Sequence, residues 1–277
     1  PIANIAPISF SMMAERYIYM ASAGPIMAAA YGIYALYKKA QDAPPWGPRV
    51  VAGAVLLLLS IFSAQVIARN PVYKNEFAFY TAAVESSPDS PPSFKGLADQ
   101  YMARKEYAAA LENFGKAIAL DPVYAEAYMG AGIAYGKAGD LDKALLHILK
   151  AAQYKPDDAQ IRFYLGSIYS DMGAVERAVP EWERTVALSP AYSEAYNNLG
   201  VYYRMKGNDI KALSMYESAL KSNPDNVEAH YNIGMIYEAR GDMAKARRYY
   251  EGFIRHAGPE YREHKDNIVK KLGGWPR

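Results

Sequence analysis

Residues 193–226, SEAYNNLGVYYRMKGNDIKALSMYESALKSNPDN, and residues 227–260, VEAHYNIGMIYEARGDMAKARRYYEGFIRHAGPE, superimpose letter by letter at a spacing of 34. Gly200 falls on Gly234, Tyr203 on Tyr237, Ala212 on Ala246 and Tyr216 on Tyr250. Working backwards at the same spacing, the small residue recurs as Gly166, Gly132 and Ala98, and the aromatic three positions on as Tyr169, Tyr135 and Tyr101. Ala178, Ala144 and Ala110 follow, each with a large residue four further on, Trp182, Ile148 and Phe114. Pro122, Pro156, Pro190 and Pro224 close the first four units, and the fifth slips to Gly258-Pro259. Proline lacks the amide that a continuing helix needs, so each unit reads as a pair of helices joined by a turn and stopped by a proline. Small residues facing large ones let the two helices of a pair approach closely.

A helix-pair repeat of this period, with these positions filled, resembles the tetratricopeptide-repeat (TPR) family. The resemblance covers Pro91 to Glu260 as five repeats, 91–124, 125–158, 159–192, 193–226 and 227–260. It implies an all-α solenoid of five helix hairpins. Upstream, residues 71–90 read as a junction holding the second helix of a half-repeat, with Tyr80, Ala83 and Pro88 at the signature places. Downstream, residues 261–277 read as a polar-faced capping helix and tail.

The first seventy residues have a different composition, their only charges being Glu15, Arg16, Lys38, Lys39, Asp42, Arg49 and Arg69. Within them, 17–37 and 50–68 are uncharged runs, and a 21-residue helix is roughly 31 Å long against a hydrocarbon core of about 30 Å. The expectation is two transmembrane helices over these runs. The loop 38–49, with three cations and one acid, is then cytoplasmic, and the repeats lie on the periplasmic, lumenal or exterior side of an integral membrane protein, with the bilayer as a partner. The chain opens on Pro1 without a signal-peptide pattern and is read as a piece whose N-terminus lies upstream.

Several functions are argued against by composition. No cysteine is present, which removes thiolate metal sites, disulfides and thiol catalysis. The formal net charge of +2 gives no electrostatic case for nucleic acid. The C-terminal excess of Lys and Arg from Ala239 to Arg277 reads as a solvated face in preference to an anionic-lipid or polyanion patch. His147, His230, His256 and His264 lack ligand spacing, so no metal and no cofactor are expected. Gly130-Ala-Gly132-Ile-Ala-Tyr-Gly136 follows no strand and is explained by the repeats rather than by phosphate.

The repeats themselves need no chemistry. TPR geometry implies a concave groove for a protein or extended peptide, lined by Lys95, Asp99, Met129, Ile133, Phe163, Ser167, Asn197, Val201, Tyr231 and Met235. Packing between neighbouring helices is the alternative role for each. Asn198 and Asn232 stand where TPR-bearing glycosyltransferases carry an asparagine ladder, with Gly96, Gly130 and Tyr164 at the earlier rungs. Lys95 is followed four residues on by Asp99 rather than by the Asn of the family's carboxylate clamp, so chaperone tails are not the expected ligand.

One further stretch, Met13-Ala-Glu15-Arg16-Tyr17-Ile-Tyr19-Met-Ala-Ser22-Ala-Gly24, with Arg69-Asn70 and Glu76 beyond, resembles the membrane mannosyltransferase-like family that carries TPRs. That resemblance implies a parent that moves a sugar from a polyprenyl-phosphate donor to protein, with Glu15, Arg16 and Tyr17 either near the donor phosphate or serving as an interfacial topology anchor. The family's catalytic acid lies in an early loop outside this chain, so no catalytic residue is named and the chain itself is expected to be inert. The competing reading is a non-enzymatic membrane-tethered TPR scaffold for envelope assembly or secretion.

Overall fold

The computed structural model describes residues 75–274 together with the single positions 32, 35, 38, 53, 57 and 60. The chain divides into two units, 1–78 and 79–277, and the repeats belong to the second. The described helices are α1 (Glu76–Ser86), α2 (Pro91–Ala103), α3 (Tyr107–Leu120), α4 (Ala125–Lys137), α5 (Leu141–Tyr154), α6 (Ala159–Asp171), α7 (Val175–Leu188), α8 (Ser193–Met205), α9 (Asp209–Ser222), α10 (Val227–Ala239), α11 (Met243–His256) and α12 (Arg262–Gly273), with a 3-10 turn at Pro259–Tyr261.

Two expectations are corrected. Among the described residues no helix is long and apolar enough to cross a membrane. The longest have 14 residues, about 21 Å at 1.5 Å per residue, short of a hydrocarbon core of about 30 Å. The two transmembrane helices are therefore not supported; the runs 17–37 and 50–68 lie outside the described residues apart from the single positions given above. The integral-membrane localisation rested on those spans and falls with them; the loop 38–49 lies outside the described residues apart from position 38, and a bilayer partner is not shown.

The hairpins follow from the turn chemistry. Gly139, Gly173, Gly207 and Gly241 take φ of 89°, 77°, 72° and 76°, the left-handed region that ends a helix without a Cβ clash. The next amide in each turn reaches back to the carbonyl of the aromatic five residues earlier. Asp140 N donates to Tyr135 O at 2.9 Å, Ala174 N to Tyr169 O at 2.8 Å, Asn208 N to Tyr203 O at 2.9 Å and Asp242 N to Tyr237 O at 3.0 Å. The first hairpin makes the same bond, Glu106 N to Tyr101 O at 2.9 Å, but with Lys105 at φ 62° in the glycine place. Asp140, Asn208 and Asp242 then cap the second helix, accepting from Lys143 N, Lys211 N and Lys245 N.

Within each hairpin the small-and-large pairs meet. Ala144 and Ile148, Ala212 and Tyr216, and Ala246 and Tyr250 are fully buried, and Trp182 nearly so. A methyl on Gly200 would lie 2.5 Å from Tyr216 Cε1, so the first helix can rest on that ring only while position 200 has no side chain. Such large buried side chains contribute about 1.5–3 kcal/mol apiece. At the far end Ile268 and Leu272 of α12 join the cluster of Ala246, Tyr250 and Phe253, closing the last hairpin.

A second set of contacts repeats on the surface. Lys143 lies over the Tyr135 ring at 5.4 Å, Arg177 over Tyr169 at 4.1 Å, Lys211 over Tyr203 at 5.2 Å and Lys245 over Tyr237 at 4.9 Å. Each links the second helix of a hairpin to the signature aromatic of the first, a cation–π contact of about 0.5–1 kcal/mol at exposed sites.

Candidate functional site

The first helices of the five hairpins, α2, α4, α6, α8 and α10, carry the expected groove positions. On α2, Lys95 Nζ and Asp99 Oδ2 pair at 2.6 Å. Asp99 keeps 42% of its side-chain surface open, yet burial raises its pKa against the opposing influence of Lys95.

On α4, Met129 and Ile133 are half-buried. Met129 packs on the core cluster of the middle repeats, as does Phe163 of α6. The Phe163 ring lies 4.8 Å from that of Tyr192 and 5.5 Å, edge-on, from Tyr164. Ser167 Oγ donates to Phe163 O at 3.0 Å, which leaves its lone pairs open.

Helices α8 and α10 are stitched across the groove. Asn232 Nδ2 donates to Asn197 Oδ1 at 3.2 Å, and Arg204 Nη1 to Met235 Sδ at 3.6 Å. Asn197 is buried, whereas Val201 is 38% exposed. Tyr231 and Met235 pack on the C-terminal cluster. The two asparagine rungs thus differ. The Asn232 amide is turned to Asn197, while Asn198 lines a hollow of about 210 Å³ with Ser167, Ser170, Asp171, Trp182 and Val201. In that wall the Trp182 Nε1 donor is buried without a partner.

The structure adds residues that the sequence reading missed, in the column at Ser170, Arg204 and Glu238, spaced by 34. Tyr250 Oη donates to Glu238 Oε2 at 2.6 Å, and Lys271 Nζ of α12 reaches Glu238 Oε1 at 2.8 Å. Burial pushes the Glu238 pKa up, but the bonds from Lys271 and Tyr250 outweigh it and hold the carboxyl below its ordinary value. Burial, then the Glu238 bond, holds the Tyr250 phenol well above its ordinary value. The equivalent Tyr216 Oη is buried without a hydrogen-bond partner, and burial pushes its pKa up to about 12. These residues lay one turn beyond the expected groove positions, and their shared spacing was the available signal.

Glu15, Arg16 and Tyr17, the residues implied for a donor phosphate, lie outside the described residues. Among the described residues no group of three or more His, Cys, Asp or Glu could hold a metal ion.

Comparison with known proteins agrees with this architecture. A family model described as TPR repeat matches residues 98–139, and models described as tetratricopeptide repeat match 131–185, 193–226 and 211–261, together more than half of the chain. Among solved structures, the chain is similar to Pseudomonas aeruginosa pilF (TM-score 0.59, 18% identity, 66% of this chain and 88% of that one). It is similar also to MamA (TM-score 0.50, 24% identity, 61% and 97%) and to a thermophilic TPR protein of Thermus thermophilus (TM-score 0.50, 23% identity, 61% and 88%). At these identities the likeness shows the fold. A search of curated protein sequences finds no match.

Proposed function

Because this chain belongs to the tetratricopeptide-repeat family, we propose that it is a protein-interaction module holding an extended polypeptide segment along the face made by α2, α4, α6, α8 and α10. The observation that carries this reading is a contrast between columns of the repeat. Core columns keep one chemistry from hairpin to hairpin: Ala110, Ala144, Ala178, Ala212 and Ala246 are all fully buried. Groove columns mix charged, polar and apolar residues: Lys95, Met129, Phe163, Asn197 and Tyr231 in one, Asp99, Ile133, Ser167, Val201 and Met235 in the next. Packing repeats itself; a surface that reads a particular sequence does not. Asn198, with an amide free to donate and accept, and Ser167, with open lone pairs, suit a peptide backbone. The division into a junction (71–90), five repeats (91–260) and a cap (261–277) belongs to the same reading.

Selection of ligands from a displayed peptide library tests it. Selected peptides should lose at least tenfold in affinity with Val201→Glu or Asn198→Ala and little with Lys221→Glu on α9. Equal loss from the α9 substitution would overturn the assignment of the groove.

A finer reading makes this module the recognition arm of a sugar-transferring parent. It is supported by the sequence likeness at residues 13–24 and 69–76 alone. Its test is transfer of labelled sugar from a polyprenyl-phosphate donor to a groove-bound peptide by the full-length parent; no transfer leaves the interaction module by itself.

A further inference from the structure

At the C-terminal end of the stack a cavity of about 140 Å³ is lined by Glu228, Tyr231 and Asn232 of α10, Phe253 of α11, and Tyr261 and His264 at the start of the cap. Its size is below the roughly 300–1,000 Å³ of sites for drug-sized ligands. It suits a head group. The aromatic walls stand at steep angles to one another. Tyr231 and Phe253 lie 5.3 Å apart at 54°, Phe253 and Tyr261 6.0 Å apart at 81°, and Tyr231 and His264 6.1 Å apart at 83°. One carboxylate belongs to the wall: the Tyr261 hydroxyl donates to Glu228 Oε1, which fixes both side chains across the joint between α10 and the cap.

The occupancy of other rings in the molecule gives this arrangement its meaning. Tyr135, Tyr169, Tyr203 and Tyr237 each carry a Lys or Arg of their own hairpin, and Tyr250 carries Lys271. Among the described residues no Lys or Arg is seated on Tyr231, Phe253 or Tyr261. The protein thus satisfies those other tyrosine faces internally, whereas in this box the half-buried Tyr231 and Tyr261, backed by the buried Phe253, and the exposed Glu228 are left to a cation from outside. Ring faces are negative and are attractive to cations whose charge is spread over methyl groups, since such cations lose little hydration on entering.

We propose that this box is a binding site for an alkylated ammonium head group. Tyr231 and Tyr261 supply cation–π contacts, the buried Phe253 backs them, and Glu228 supplies the counter-charge. The site shares Tyr231 and Asn232 with the C-terminal end of the groove, but a small cation needs no extended peptide, so the proposal does not rest on the groove reading. Two sources present the same chemistry, a free quaternary amine and a methylated lysine side chain of a polypeptide.

The test titrates the whole chain with choline, with the amide of Nα-acetyl-trimethyl-lysine, and with 3,3-dimethylbutanol, the uncharged isostere of choline, following Tyr and Phe ring resonances by NMR. Millimolar or tighter binding of at least one cation is expected, with the isostere at least tenfold weaker. Whichever cation binds more tightly identifies the source. Glu228→Gln and Tyr261→Ala should each weaken cation binding at least fivefold; Tyr261→Phe, which keeps the ring, should weaken it less than Tyr261→Ala. Unchanged helical content in the variants separates loss of the site from loss of fold. Equal binding of the isostere, no binding of either cation, or no effect of Glu228→Gln would overturn the proposal, while peptide binding is read separately at Asn198 and Val201, which lie outside the box.

Discussion

Asn226 Nδ2 donates to Ser193 Oγ at 2.7 Å, joining positions 33 residues apart in the interior between the fourth and fifth hairpins. Ser193 Oγ in turn donates to Ala219 O at 3.0 Å, and Asn226 Oδ1 accepts from Ala229 N at 2.8 Å. One buried amide therefore caps α10 and ties it to the start of α8 and, through Ser193, to the end of α9. Asn226→Ala removes a cap and leaves buried groups unpaired, and should cost about 2–3 kcal/mol in urea unfolding. Ser193→Ala should cost about 1–2 kcal/mol, and the double variant less than the sum.

Lys105 holds φ 62° where the other four hairpins have glycine. Lys105→Gly relieves that conformation at an exposed site and should raise stability by about 0.5–1 kcal/mol despite the greater freedom of the unfolded chain. Thermal unfolding of the two proteins side by side measures it.

Tyr216 and Tyr250 occupy the same place in successive repeats with opposite fates for their hydroxyls. Tyr216→Phe removes a buried donor that has no partner and should be neutral or stabilising by up to about 1 kcal/mol. Tyr250→Phe breaks the bond to Glu238 and should cost about 1–2 kcal/mol. Denaturant midpoints at equal slope read both.

His230 stacks on His256 with ring centroids 5.8 Å apart, and one of its nitrogens meets Pro224 O at 2.9 Å. Burial lowers its pKa, against a smaller upward pull from that carbonyl bond. The unfolded chain then takes up the proton first as pH falls below about 6.5, so this residue's contribution, present at neutral pH, is lost on acidification through its folded pKa. His230→Gln should show a smaller drop in melting temperature between pH 7.5 and pH 5.5 than the wild type.

The fold was legible where packing dictates residue type. Gly200 must be small because Tyr216 fills its place, and that pairing recurs at Gly166 with Trp182 and at Gly234 with Tyr250, so a period of 34 exposed it. Lys143, Arg177, Lys211 and Lys245 share the period, but surface cations are common enough that their register passed unnoticed until the rings beneath them were seen. The stitch between Asn232 and Asn197 was illegible for a different reason. Both residues were expected to face a ligand, and sequence spacing does not say which of two amides turns toward its neighbour. The spans expected over 17–37 and 50–68 rested on low charge and run length; crossing a bilayer requires a helix of sufficient length, and among the described residues, which leave out most of both runs, there is none.

The central claim is that ligands lie along the first helices of the hairpins. Methyl NMR reads this directly, because Met129, Ile133, Val201 and Met235 lie on those helices within the groove columns, whereas Ile210, 80% exposed, and Met243, 41% exposed, open the second helices. On adding a selected peptide, the account predicts shifts in the first four methyl sets with Ile210 and Met243 unmoved; shifts confined to Ile210 and Met243 would contradict it.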